Sequence, residues 1–307
     1  MKSARTKSRG WIDLQVNGLM EINFSDSALS PENFSSACNR ILDGGTAVFL
    51  PTMITGKVNS YERNLRLMAK QIDSEKLWDR IPGFHLEGPF ISPEAGYVGA
   101  HNPAYTQKPN PDLLKRFHEW SGGKIKLLTI AAELDGADKL VKTAVKLGIA
   151  VSIGHSNFNQ ENLKRMASLG AKAITHLGNG LPLNLAKFAN PIWAGLCEEK
   201  LTGMFVGDGH HIPGDILRKM ILAKGIEKTI IVSDASPLAG CRPGTYDVFG
   251  STAVLEKSGR LYNPVKLNLM GSSYTMPKCM DYLRKLDFLS EKELLRIGYR
   301  NPLELIS

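Results

Sequence analysis

The sequence predicts a (β/α)8 barrel of the metal-dependent hydrolase type, on three observations. Short apolar runs recur eight times, amphipathic stretches that stop at glycine separate them, and acidic or imidazole side chains stand at the ends of several runs. Continuous apolar strands joined by helices imply a parallel sheet buried on both faces. The chain has 307 residues, 43% of them hydrophobic, which suffices for one barrel of the common ~250-residue size.

The runs are "WIDLQV" (11–16), "TAVFLP" (46–51), "IPGFHLE" (81–87), "IKLLTIAAE" (125–133), "IAVSIG" (149–154), "AKAITH" (171–176), "LTGMFVGD" (201–208) and "TIIVSDA" (229–235). Between them, "PENFSSACNRILDGG", "GADKLVKTAVKLG", "NQENLKRMASLG" and "GDILRKMILAKG" have helical spacing of apolar residues and a terminal glycine. The alternative is an open doubly wound sheet. It would need a phosphate-cradling glycine fingerprint after the first strand, and "VNGLMEINFSD" is neither G-x-G-x-x-G nor a P-loop.

Composition excludes other classes. The formal charge of +8 is spread over helical segments such as "NLKRMASLG" and "LRKMILAKG", and aromatic residues make up only 7% with no basic–aromatic interleaving. That is a pattern of solvated helix faces rather than a nucleic-acid surface, and it also suits an anionic small molecule. The one basic cluster lies in "MKSARTKSRG", read as a tail over residues 1–10, with 11–307 a single barrel domain. No window approaches the ~20 apolar residues of a membrane span, and "WIDLQVNG" is no secretory core, so a cytoplasmic protein is expected. Cys38, Cys197, Cys241 and Cys279 lie far apart without a C-x-x-C pair and read as reduced, mostly buried thiols.

The run ends carry the chemistry. Glu87 closes the third, His155 follows the fifth, His176 closes the sixth, His210 and His211 follow the seventh, and Asp234 ends the eighth. In barrels this C-terminal rim is where active sites are built. His85 and His118 read as core histidines, but carboxylates and imidazoles crowded on one rim need a metal or each other to offset desolvation. One carboxylate with two imidazoles from separate strands suits Zn2+, with Fe2+, Mn2+ or Co2+ as alternatives, and leaves a position for water. Hydrolysis of an amide then needs a nearby carboxylate to shuttle the proton.

"HLEGPFISPEAGYVGAHNP" (85–103), "GHSN" (154–157), "THLGNGLP" (175–182), "DGHHIP" (208–213), "VSDASPLAG" (232–240) and "LMGSSYTM" (269–276) resemble, in order, the motifs of the N-acetylglucosamine-6-phosphate deacetylase family of the amidohydrolase superfamily, over about residues 11–302. The resemblance implies Glu87, His155 and His176 as metal ligands, Asp234 as general acid/base, and His211 as the group that polarises the substrate carbonyl or binds the sugar. His210 falls at a variable position. His101, Asn179, the Gly180 backbone and Met270 fall where the family lines its sugar pocket. The substrate implied is a small-molecule amino sugar, N-acetylglucosamine 6-phosphate or N-acetylglucosamine, and a homodimer is expected.

Three departures qualify that expectation. The first strand reads Gln15-Val16-Asn17 where many amidohydrolases have H-x-H. One divalent metal ion, Zn2+ first, is therefore expected, with Gln15 and Asn17 a hydrogen-bond scaffold in place of second-metal ligands. The family's small β-sandwich has no counterpart before Trp11 or after "NPLELIS", so a bare barrel is expected, with oligomer contacts doing the sandwich's stabilising work. The loop "PLNLAKFANPIWAG" supplies only Lys187, a point charge without arginine's fork, to a phosphate. Unphosphorylated N-acetylglucosamine or short chitin-derived oligosaccharides are accordingly the alternative substrates, followed by cyclic-amide hydrolysis on the same fold and a non-catalytic sugar-binding barrel.

Overall fold

The chain was analysed as a computed structural model that describes residues 10–307, so most of the expected basic tail lies outside the described residues. Eight parallel strands, β1 (Trp11–Val16), β2 (Thr46–Ile54), β3 (Phe84–Glu87), β4 (Ile125–Ile130), β5 (Ala150–Ile153), β6 (Ala173–Ile174), β7 (Thr202–Val206) and β8 (Thr229–Val232), lie side by side in chain order. All eight apolar runs are thus strands. The helices between them are α1 (Pro31–Asp43), α2 (Val58–Ser74), α3 (Pro111–Trp120), α4 (Ala137–Lys146), α5 (Gln160–Ser168), α6 (Pro191–Cys197) and α7 (Gly214–Lys224), with α8 (Met276–Lys285) after β8. Four of these eight helix starts are capped by side chains. Ser30, Asn110, Asn159 and Asn190 each accept from backbone N–H groups of the first turn, three of them followed by proline at the first helical position.

The strands bury both faces. One face joins the helices in the outer hydrophobic layer. The other fills the interior, where Ile12, Leu14, Leu50, Leu127, Met204 and Ile230 form a cluster. Leu305 and Ile306, from the C-terminal helix Asn301–Ile306, pack on that cluster near the starts of the strands. The opposite rim is left free for polar residues.

The circle closes between β8 and β1. Val16 forms a parallel bridge with Ala235, and the Asn17 N–H donates to the Ala235 carbonyl at 2.8 Å. Beneath it the fully buried Asp13 carboxylate accepts from the Ser233 N–H (3.1 Å), the Ser233 hydroxyl (2.5 Å) and the Gln15 N–H (3.3 Å). One side chain therefore ties the first strand to the last.

An element that the sequence does not disclose follows β8. Strands β9 (Gly244–Val248), β10 (Ser251–Leu255) and β11 (Leu261–Tyr262) form a small antiparallel sheet over their own core of Leu238, Val248, Ala253, Leu255, Leu261 and Met270. β9 and β10 are joined by Phe249-Gly250, both at positive φ (54° and 73°). That is the geometry of a two-residue hairpin whose twist matches the strands. The barrel is therefore not bare, although the added sheet sits inside the β8–α8 connection rather than before and after the barrel. Among the described residues no helix is long and apolar enough to cross a membrane, and the four cysteines are unpaired, Cys38 and Cys279 buried, Cys241 half-buried and Cys197 exposed.

Burial pushes the Asp13 carboxyl up to about 6, against the opposing hydrogen bonds of Ser233 and Gln15. The folded chain then holds this proton more tightly than the unfolded one. The resulting stability is present in full below the unfolded value and is lost as pH rises through about 6. In metal-free protein, the unfolding free energy of the wild type relative to Asp13→Asn should fall between pH 4 and 6 by up to ~3 kcal/mol, each pH unit in that window being worth ~1.4 kcal/mol. Denaturant melts across that range test this, and a pH-independent difference would refute it.

Candidate active site

Three of the rim residues owe their position to unusual backbone. His155, His176 and Asp234 follow the ends of β5, β6 and β8 in left-handed conformation, at φ of 50°, 30° and 50°. Non-glycine residues there cost of order 1–3 kcal/mol each and persist where the surroundings over-determine them. The turn swings each side chain from the strand end over the barrel mouth, toward Glu87 at the end of β3.

Glu87, His155 and His176 meet there, all buried, with candidate ligand atoms within 4.8 Å of one another. His176 Nε2 lies 2.9 Å and His155 Nε2 3.3 Å from Glu87 Oε1, and the two Nε2 atoms are 3.0 Å apart. His155 Nδ1 lies 2.8 Å from the Tyr97 carbonyl, which can only accept, so Nδ1 carries a proton and Nε2 faces Glu87. Two imidazole nitrogens and a carboxylate oxygen thus face one another in a buried space. A divalent cation among them satisfies all three, and the second nitrogen's bond to a carbonyl is the usual orientation of a ligating histidine. Gly99 and Gly180 wall this cluster so closely that a Cβ on either would lie 2.9–3.0 Å from the His155 ring.

Asp234 is held at one oxygen only. Its Oδ1 accepts from Asn17 Nδ2 (2.8 Å) and Gln15 Nε2 (3.1 Å), and the same Gln15 nitrogen donates to Glu87 Oε1 at 2.8 Å. Both amides thus serve as donors at the β1 end. Oδ2 is left facing the cavity, 4.0 Å from His211 Nε2. Burial and then the Glu87 charge push the Asp234 carboxyl up to about 7, and a divalent cation beside the pair opposes the second effect.

His211 is oriented by a residue outside the set that the sequence singles out. Its Nδ1–H donates to Asp208 Oδ2 at 2.8 Å, while Asp208 Oδ1 accepts from the His210 and His211 N–H groups, each at 2.9 Å. Burial disfavours the imidazolium, but the Asp208 carboxylate outweighs it and raises the His211 pKa, as the same pairing holds Asp208 well below the usual range. The signal is an aspartate three residues before the histidine in "DGHHIP". His210 points elsewhere, bonding the Ser258 carbonyl at 3.1 Å and packing edge-on against Tyr274.

The remaining candidates divide. His101 Nδ1 accepts from the Thr55 N–H (3.3 Å), which leaves the proton on Nε2, 3.9 Å from Glu87 Oε2. Burial and then His155 lower its pKa to about 3, so the ring is a neutral donor. His101, Asn179, Gly180, His211 and Asp234 line a cavity of about 60 Å³ around the cluster. Lys187 does not: it is exposed, with Nζ over the Phe188 ring. Met270 is buried in the core of the small sheet, and its neighbours Leu269 and Gly271 line the cavity in its place. His85 is a satisfied interior residue between the Leu14 carbonyl and the Thr129 hydroxyl, whereas half-buried His118 leaves Nδ1 without a partner among the described residues.

No family model matches the chain. It is 33% identical over 270 residues to N-acetylglucosamine-6-phosphate deacetylase of Haemophilus influenzae, spanning 87% of this chain and 68% of that one. It is 28% identical over 295 residues to the Bacillus subtilis protein of the same name, spanning 95% and 73%. The crystal structure of N-acetylglucosamine-6-phosphate deacetylase from Pasteurella multocida superposes with a TM-score of 0.85 at 27% identity, over 97% of this chain and 76% of that one. With relatives of that similarity over most of both lengths, and a barrel rim to match, the chain belongs to the N-acetylglucosamine-6-phosphate deacetylase family.

Proposed function

We propose that the chain is a divalent-metal-dependent hydrolase that cleaves the acetamide of N-acetylglucosamine 6-phosphate, or of N-acetylglucosamine, to the amino sugar and acetate. The observation that carries this reading is the one-sided grip on Asp234. Its Oδ1 is occupied by two amide donors, whereas its Oδ2 carries no hydrogen bond and lies 4.0 Å from His211 Nε2, in the cavity that Glu87, His155 and His176 also line. A linear-amide substrate also accords with the names of the relatives.

Glu87, His155 and His176 would hold a metal ion, which would supply Lewis acidity and lower the pKa of bound water toward neutrality. The two-imidazole, one-carboxylate set favours Zn2+ over harder cations. Asp234 Oδ2 takes the proton of the attacking water and returns it to the departing nitrogen, a transfer that its raised pKa suits. Gln15 and Asn17 keep the other oxygen occupied, so the proton moves through one atom. His211, charged through Asp208, donates from Nε2 to the carbonyl oxygen as negative charge grows there. His101 and Asn179, at the cavity wall, bind the sugar.

The same proposal covers the assembly. Residues 11–307 act as one barrel domain, and two copies form a homodimer. The loop that follows β6 exposes Leu183 and Phe188 (88% and 72%) beside Lys187. That apolar surface suits a second subunit, and Lys187 is then free to meet a phosphate outside its own cavity.

Elemental analysis should find one metal per chain, and Glu87→Ala should empty the site. Two metals at full activity, or unchanged metal in that variant, would contradict the assignment. Asp234→Asn should keep metal and fold but lower acetate release by ~10²- to 10⁴-fold, and a loss smaller than about tenfold would remove Asp234 from the proton transfer.

His211→Asn should reduce kcat/KM by ~10²- to 10³-fold with metal content unchanged. Asp208→Asn should act in the same direction more weakly, whereas His210→Gln should alter thermal stability and spare specific activity. An inactive His210→Gln beside an active His211→Asn would invert the assignment. Acetate release from N-acetylglucosamine and its 6-phosphate, measured side by side, decides between the two substrates.

A further inference from the structure

The cavity around the metal-ligand cluster is too small for its substrate. At about 60 Å³ it holds a few water-sized volumes, enough for an acetamido group, whereas pockets for whole small ligands run ~300–1,000 Å³. A second chamber of about 820 Å³ opens directly beside it and shares Ile54, Ala100 and Phe249 as a common wall. It lies between the loops after β1 and β2, the segment 100–105 and the small sheet.

The lining is that of a site for a neutral, hydroxylated ligand. Tyr105, Tyr246 and Phe249 line it with aromatic rings, and Asn23, Asn59 and Asn102 with amides. The Asn59 amide and Tyr105 hydroxyl make no hydrogen bond to other described side chains or backbone, which leaves them for a ligand. The charges there leave no excess to draw an anion. The Arg63 guanidinium donates to the Leu29 carbonyl and to Asn64 Oδ1, both at 2.8 Å, and Lys57 lies over the Tyr105 ring. Glu21, Asp26 and Asp247 leave the chamber with more acid than base.

Resting on the deacetylase reading above, we infer that this chamber is a subsite for a second, uncharged sugar unit, so that the chain deacetylates an N-acetylglucosamine residue linked to a neighbour. The first ring spans the shared wall with its acetamide at the metal, and the second lies among Asn59, Tyr105 and Tyr246. C–H faces of the pyranose pack on the aromatic rings while its hydroxyls meet the amides. Binding energy from this remote ring raises kcat/KM on the linked substrate.

The metal-loaded enzyme should be assayed for acetate release on the β-1,4-linked dimer of N-acetylglucosamine, on N-acetylglucosamine and on its 6-phosphate. The dimer is expected to exceed unphosphorylated N-acetylglucosamine in kcat/KM by about tenfold, the scale of one stacked ring. Tyr105→Ala and Asn59→Ala, both away from the catalytic groups, should remove most of that advantage and leave both monosaccharides within about twofold. Turnover of the monosaccharides without the dimer, or an equal effect of the variants on dimer and monosaccharide, overturns the subsite and leaves the deacetylase reading standing. Release from none of the three overturns the deacetylase reading and the subsite with it.

Discussion

Two buried carboxylates meet at this barrel mouth, and a single amide nitrogen stands between them. Gln15 Nε2 donates to Glu87 at 2.8 Å and to Asp234 at 3.1 Å. Without it, like charges in a low-dielectric space would drive one of them to protonate or to swing away. With it, Glu87 is turned toward two imidazoles and Asp234 is pinned by one oxygen. The roles proposed above for the two, ligand and proton carrier, rest on that arrangement. Gln15 meets Asp234 from the neighbouring β8 and reaches across the mouth to Glu87 on β3, one strand removed from β1, while the Asp13–Ser233 bonds lock the seam on which Asp234 hangs.

Most of the architecture is legible in the sequence because it depends on the period of apolar residues. Each of the eight strands lies within or closely overlaps one apolar run, down to the two residues Ala173–Ile174 inside "AKAITH". Placing Glu87, His155, His176 and Asp234 on one rim requires only the rule that barrel strands end together. The small sheet is hidden because "GTYDV" and "STAVL" are short, half-exposed and joined by Phe249-Gly250. Phenylalanine is not a turn signal, and only the tertiary fold shows that it takes a left-handed conformation.

Site residues are legible where chemistry is local and obscure where it depends on direction. Asp208 stands within "DGHHIP", yet its role depends on a three-residue turn that brings its carboxylate to His211 Nδ1. Met270 lies in the stretch that walls the cavity, but its side chain faces the opposite way into the core of the small sheet. Lys187 lies in the expected loop and is directed outward. In each case the segment is placed by sequence, whereas orientation is set by packing that no single stretch records.

The hairpin tip at Phe249 determines what separates the narrow cavity from the wide chamber. Its ring borders both the narrow cavity and the wide chamber, and the ring is carried by a sheet with its own small core, separate from the barrel's. Elements of that kind open locally, at a free energy below that of global unfolding. The wall that the two spaces share at Phe249 is carried by the small hairpin core rather than by the barrel. The carboxylates and imidazoles are positioned by the barrel strands, whereas the space beside them is shaped in part by a separate hydrophobic core, so the two belong to different parts of the chain.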